Sequence, residues 1–250
     1  PELVRNRNVR PNFPPHKVTQ GIQAEALDLW WPMLPDGARG FGLYTYPPGF
    51  ERRASGVFTG AWSETDHWLY DLEIGWYLSF DTDRYIFRTN QDIWKFNSGE
   101  KITISLWMNP NGGGIDSAQT LVASGGSSVA RNGSVLYANV SANNNQANRN
   151  RILFQWGNGS SSTSFSTAAN AVTPGVWNHV LVTHQYGSGG ESQIWINGQL
   201  VTNTSSSFAP YVGYQDLWFG NNAVDAGLRQ RYIGGMTDVR IYRNHPAPDV

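Results

Sequence analysis

From about residue 76 the chain reads as short apolar runs separated by clusters of Gly, Asn and Ser. That spacing predicts antiparallel strands joined by tight turns and loops, with almost no helix. Strands are expected over 76–80, 85–87, 101–108, 119–124, 135–140, 151–156, 162–166, 177–185, 192–196, 199–203, 216–219 and 231–242, the last broken by its glycines. Over 177–184 the set Trp177, His179, Leu181, Thr183 alternates with Asn178, Val180, Val182, His184. Neither set is fully polar, so this strand is expected at the centre of a sheet with both faces partly covered. Ile194-Trp-Ile-Asn-Gly-Gln-Leu200 predicts a hairpin, because Asn-Gly supplies the two positive-φ residues of a tight primed turn. The Gly-, Ser- and Asn-rich stretches 112–114, 125–126, 141–150 and 157–163 are expected as loops, either tips or binding loops.

Residues 1–60 differ in character. They hold eight of the thirteen prolines, with Pro14-Pro15 and Pro47-Pro48 as pairs. Proline lacks a ladder donor and biases its predecessor toward extended backbone, so an extended arm is expected rather than regular sheet or long helix. A short helix over 20–29 is the exception, since Ile22, Ala26 and Leu29 share one helical face. The arm is also apolar: Phe13, Trp30, Trp31, Phe41, Tyr44, Tyr46 and Phe50 all need cover. That cover is either the arm's own sandwich or a neighbouring subunit. The domain expectation is an arm over 1–60 and a sandwich over 61–250.

Composition narrows the partners. The net charge is −1 with 15% charged residues, so no basic stripe is available to neutralise phosphates and nucleic acid is not an expected partner. The absence of cysteine removes disulfides, thiolate metal sites and cysteine nucleophiles. No apolar run is long enough to span a membrane, and the first residues lack the apolar stretch of a signal peptide. A chain made in the cytoplasm is therefore expected.

Phe80-Asp-Thr-Asp-Arg-Tyr85, Ile102-Thr-Ile-Ser-Leu-Trp-Met-Asn109, Thr173-Pro-Gly-Val-Trp-Asn-His-Val180, Gln193-Ile-Trp-Ile-Asn-Gly198, Gly234-Gly235 and Val239-Arg-Ile-Tyr242 follow one another in order. Together they resemble the laminin G-like, concanavalin A-like jelly-roll superfamily, over about residues 75–245. The resemblance implies an all-β antiparallel jelly-roll sandwich and places Trp107, Trp177 and Trp195 in its core. Its members include lectins, adhesion domains, virion proteins and a minority of glycosidases, so one fold licenses no single use.

Its hydrolytic branch carries acidic residues at alternate strand positions, since retaining hydrolysis needs two carboxyls about 5 Å apart. Here only Glu64 with Asp66 and Asp71 with Glu73 alternate, and they precede the sandwich motifs. No catalytic residues are assigned, and the chain is expected not to be an enzyme. His179 and His184, five apart on one strand, face opposite ways and cannot share a metal. The resemblance also implies a structural calcium, with Asp81 and Asp238 as candidate ligands, although Thr237 stands where an acidic residue is frequent. For a glycan, the candidates are Tyr186, Tyr211, Tyr214 and Trp218 as stacking rings, beside Asn221 and Asn222.

The leading expectation is a non-enzymatic structural or adhesion subunit on a virion surface, joined to other subunits of an assembly through its arm. The alternative is a carbohydrate-binding, lectin-like domain, which would act outside the cell.

Overall fold

The structure, a computed structural model, describes residues 27–31, 57–59, 67–81, 84–88, 95–111, 118–125, 132–140, 149–187, 189–213, 216–221 and 230–244. In chain order the strands are β1 (Leu27–Trp31), β2 (Val57–Thr59), β3 (Trp68–Asp71), β4 (Gly75–Phe80), β5 (Tyr85–Arg88), β6 (Lys101–Pro110), β7 (Gln119–Gly125) and β8 (Ser134–Asn139). They continue with β9 (Arg151–Gly157), β10 (Ser162–Ser166), β11 (Asn178–Gln185), β12 (Gly190–Ile196), β13 (Gln199–Ser206), β14 (Asp216–Phe219) and β15 (Gly234–Arg243). Among the described residues there is no helix.

Two antiparallel sheets result. The eight-stranded sheet runs β13-β12-β11-β6-β15-β4-β3 with β1 also on β15, and the seven-stranded sheet runs β10-β9-β8-β7-β14-β5-β2. This is the jelly-roll sandwich that the strand pattern and the resemblance implied. The Asn-Gly turn forms as expected, with φ of 51° at Asn197 and 79° at Gly198, and β11 lies centrally between β6 and β12.

The core is the product of alternation. Ile102, Ile104, Leu106 and Met108 of β6, Val180 and Val182 of β11, and Ile194 and Ile196 of β12 point inward from one sheet. They meet Leu136, Ile152, Phe154, Trp156, Leu217 and Phe219 of the other. Buried apolar area of this kind contributes roughly 25 cal/mol per Å², and with no cysteine it is the principal glue.

Two sequence expectations change here. Residues 27–29 are strand, not the end of a helix: Leu29↔Ile241, Trp30↔Arg240 and Trp31↔Val239 pair in register. Ladder hydrogen bonds to a strand already fixed in the sheet outweigh a local helical preference. This piece of the arm therefore belongs to the chain's own sandwich; residues 20–26 and Phe13, Phe41, Tyr44, Tyr46 and Phe50 lie outside the described residues. Tyr186, expected as an exposed ring, is 2% exposed. It stacks on Phe96, and its hydroxyl shares a 2.7 Å hydrogen bond with Ser134 Oγ.

Beside Tyr186 the core holds a histidine. His184 packs 4.0 Å, centroid to centroid, from Trp156 and 4.4 Å from Tyr186. One ring nitrogen, Nδ1, meets Ser192 Oγ at 2.7 Å, while Nε2 finds no partner. Burial makes the charged form costly and holds the imidazole down at a pKa of about 3. Below about pH 6.5 the unfolded chain takes up a proton here that the folded chain refuses. Stability is thus fully present above pH 6.5 and is lost as pH falls toward 3. We expect the urea midpoint to drop between pH 7 and pH 4.5, with this group contributing a slope of up to roughly 1.4 kcal/mol per pH unit. His184→Gln should flatten that slope whatever its stability at pH 7; equal slopes in both proteins would exclude His184 as the source.

Candidate functional site

The outward face of the eight-stranded sheet takes the other half of each alternation. Thr103, Ser105, Trp107 and Asn109 stand on β6; His179, Leu181 and Thr183 on β11; Gln193 and Trp195 on β12. Register aligns them in rows across the strands. One row is Trp195↔Leu181↔Ser105↔Arg240, the next His179↔Trp107↔Thr237, and the next Asn109↔Gly235↔Ser79. Trp107, Trp177 and Trp195 are half-buried here and are not in the core the resemblance implied. On β6 and β12 the inward positions are filled by Ile, Leu and Met, so the indoles take the polar face.

Each ring is held. Buried Asn178 ties down the preceding loop, donating from Nδ2 to the carbonyls of Thr173 (2.9 Å) and Val176 (2.8 Å) and accepting at Oδ1 from Thr173 N–H (3.2 Å). Gly175 N–H adds a 2.7 Å bond to the Pro110 carbonyl. The loop so fixed lays Trp177 edge-on to Tyr77, centroids 5.1 Å apart. Both rings lean over Gly235, where a Cβ would stand 2.8 Å from the Trp177 ring and 3.0 Å from Tyr77. Trp177 Nε1–H is buried without an acceptor. Trp107 lies 5.1 Å from the His179 ring, and His179 Nε2 meets Ser105 Oγ at 2.9 Å. Burial, assisted by the Arg240 cation, lowers His179 to a pKa of about 4, so it is neutral at pH 7 and offers one donor and one acceptor. Trp195 Nε1–H donates to Gln193 Oε1 (3.4 Å), and Gln193 Nε2–H to Glu191 (3.0 Å).

Arg240 and Asp238 neutralise each other on this face. Arg240 donates from Nε (2.9 Å) and Nη2 (2.5 Å) to the two oxygens of Asp238. Asp81 is likewise paired with Arg84. Both candidate calcium ligands are thus held by guanidinium groups, and among the described residues no three His, Asp or Glu side chains converge. Calcium takes six to eight oxygens, so an ion at Asp81 or Asp238 would draw the rest from backbone carbonyls or water.

The loop residues expected to bind sugar are not brought together. Tyr186 is in the core, and Asn221 is 5% exposed with its Oδ1 unpaired. Tyr211 rests on Gly159 at the β9–β10 turn. Trp218 belongs to the outward face of the opposite sheet, stacked 5.0 Å from Phe87 and packed on buried Ala123, Val135 and Tyr137. Tyr214 and Asn222 lie outside the described residues. The Asp71–Glu73 alternation is a turn, with Asp71 Oδ1 accepting from the Glu73 (2.8 Å) and Ile74 N–H groups.

Residues 80–248 match the family model of the concanavalin A-like lectin/glucanases superfamily. The chain belongs to that superfamily. Solved structures agree on the fold. The binding domain of botulinum neurotoxin DC, solved with rat synaptotagmin II, superposes with a TM-score of 0.57 at 15% identity, covering 88% of this chain and 48% of that one. A botulinum neurotoxin type C structure concerned with two ganglioside molecules gives 0.57 at 16%, covering 88% and 48%. Domain 4 of the extracellular arabinanase AbnA from Geobacillus stearothermophilus, solved with arabinotriose, gives 0.54 at 15%, covering 89% of this chain and 95% of that domain. The chain therefore spans about half of the neurotoxin chains and nearly all of the arabinanase domain. No curated protein sequence matches it.

Gly235 tests this geometry. Gly235→Ala places its Cβ inside contact distance of both rings, so Tyr77 and Trp177 must part. Overpacking of this kind costs about 1–3 kcal/mol. A lower melting midpoint and a red-shifted tryptophan emission are expected; an unchanged spectrum would mean the rings are not locked over the glycine.

Proposed function

We propose that this superfamily member is a non-catalytic carbohydrate-binding module that takes a neutral glycan on the outward face of the eight-stranded sheet. The observation that carries the reading is the set of half-buried indoles, Trp107 on β6, Trp195 on β12 and Trp177 on the loop entering β11 between them, held beside neutral donors and acceptors. Sugar rings present C–H faces that pack on aromatic faces and hydroxyl rims that need hydrogen bonds. Half-buried Asn109, His179 and Gln193 supply those bonds on the same face, with His179 Nε2 held by buried Ser105.

Neutrality follows from the charges. Arg240 is already satisfied by Asp238, so an acidic sugar would have to compete with a carboxylate. The arabinanase domain solved with arabinotriose, similar along nearly its whole length, supports a sugar partner, and the ganglioside-related neurotoxin structure does so more distantly. A hydrolytic reading has less support: among the described residues the face offers no pair of free carboxyls, and Ser105–His179 lacks the basic imidazole that a nucleophile needs near neutral pH. None of the relatives named above is a virion protein, and β1 lies on the chain's own β15, so the virion-subunit reading rests on the arm's composition alone.

A glycan array with the intact chain, followed by calorimetry on the best binder, tests the proposal. Trp107→Ala and Trp195→Ala should each weaken binding at least about fivefold, as loss of a stacking ring worth about 1 kcal/mol or more implies, while the fold persists by circular dichroism. Trp218→Ala, on the opposite sheet, should leave binding unchanged. Silence across neutral glycans, or binding lost only with Trp218, would refute this face as the site.

A further inference from the structure

Between Arg151 and Asp216 the sequence carries a single formally charged residue, Glu191, although 15% of the whole chain is charged. This stretch builds β10, β11, β12 and β13. In the fold those strands gather on one flank: β13 ends the eight-stranded sheet and β10 ends the seven-stranded sheet. Thr202 Oγ1–H donates to the Ser166 carbonyl (3.3 Å) and ties the two edges side by side. Exposed apolar residues collect in the same stretch. Val176 (49%), Leu200 (43%), Val201 (41%) and Val212 (62%) are four of the six large apolar side chains exposed among the described residues.

We propose that this flank is where a second copy of the chain docks, β13 against β13, continuing the sheet across a two-fold axis. An edge strand presents a row of open backbone donors and acceptors, and proteins that must stay single blunt such edges with lysine, proline or a bulge. β13, Gln-Leu-Val-Thr-Asn-Thr-Ser-Ser, has neither charge nor proline. It has one bulge, at Val201, where the register shifts, and Thr202–Ser206 continues regularly beyond it.

The occupant is argued from charge and symmetry. Across a two-fold axis a surface meets itself, so any charge near the axis would face its own sign; β13 carries none, and the flank's one charge, Glu191, stands on β12 opposite Ser205, toward the end of β13. Its Ser, Thr and Asn side chains both donate and accept, and are complementary to themselves. Eight residues of strand span roughly 27 Å. With two sheet edges about 10 Å apart the contact reaches the order of 1,000 Å² in total, the lower bound for a specific interface. Antiparallel continuation sets the axis perpendicular to the sheet and turns both outward faces the same way. The proposed glycan site would then be presented twice, side by side. The docking itself does not depend on that site.

Light scattering on the full chain should give twice the 27.8 kDa chain mass. Val201→Lys with Thr204→Lys places two cations against their own copies and should restore the single-chain mass with an unchanged circular dichroism spectrum. In the unmodified chain, amide exchange over 199–206 should quicken on dilution, a readout that needs no variant. A single-chain mass at the highest soluble concentration would overturn the proposal. So would a dimer indifferent to the double variant, or one in which exchange slows with concentration in another segment, because the copies would then meet elsewhere.

Discussion

The bulge at Asp238 sets the register on which the eight-stranded sheet depends. Up to Thr237, β15 pairs with β6 so that Met236 faces Met108 inside and Thr237 faces Trp107 outside. Asp238 then takes a left-handed φ of 51°, a conformation that Asp adopts more readily than most residues. One residue is thereby inserted without a partner. Past it Val239 and Ile241 again fill the core, and Arg240 and Tyr242 again face out. The same step changes β15's other neighbour, from β4 over 234–236 to β1 over 239–242. The side chain at the bulge closes the device by binding Arg240 through both oxygens. Backbone strain, edge pairing and the neutral charge of the outward face therefore meet at one residue.

The two outward faces differ in composition and burial. On the seven-stranded sheet, Ala123, Val135 and Tyr137 are buried on the side away from the main core, with Leu153 and Trp218 packed beside them. On the eight-stranded sheet the outward positions mix indoles with hydroxyl, amide and imidazole groups; Trp107, Asn109, His179, Thr183, Gln193 and Trp195 remain partly open, while Thr103, Ser105, Leu181 and Thr237 are buried. Between the faces a chain of rings runs from surface to centre: Arg243 lies 4.2 Å over Phe96, Phe96 stacks on Tyr186, and Tyr186 meets His184 edge-on against Trp156. That chain fixes the end of β11 whose other end carries His179.

Much of this was legible in the sequence because period-two alternation and turn chemistry are local. The strand expected over 162–166 is β10 as it stands, and Asn197-Gly198 closes the hairpin it announces. The indoles were legible too, but only by face: Trp107 shares its side of β6 with Thr103 and Ser105, while Ile102, Ile104 and Leu106 hold the other. A family habit of burying aromatics concealed that signal. Tyr186 erred the opposite way, since it follows a strand and precedes glycines, and only the facing sheet, through Ser134 of β8, shows that it points inward. β1 was illegible for a deeper reason. Leu27–Trp31 owes its strand state to β15, more than two hundred residues away in sequence, and no local pattern encodes a distant ladder.

If the outward face takes the sugar proposed above, rigidity serves it as much as composition. A free side chain loses about 0.5–1.5 kcal/mol of entropy when a ligand immobilises it. Here Trp177 is held by the Asn178-bound loop and Gly235, Trp195 by Gln193, and His179 by Ser105 and by Asn197 Oδ1 on its backbone N–H. The cost has been met within the fold, so weak stacking and hydrogen-bonding terms reach affinity largely undiminished. Burial and the Arg240 cation keep His179 neutral, and Asp238 keeps Arg240 occupied, so on the proposed reading shape and hydroxyl pattern, rather than charge, decide what binds.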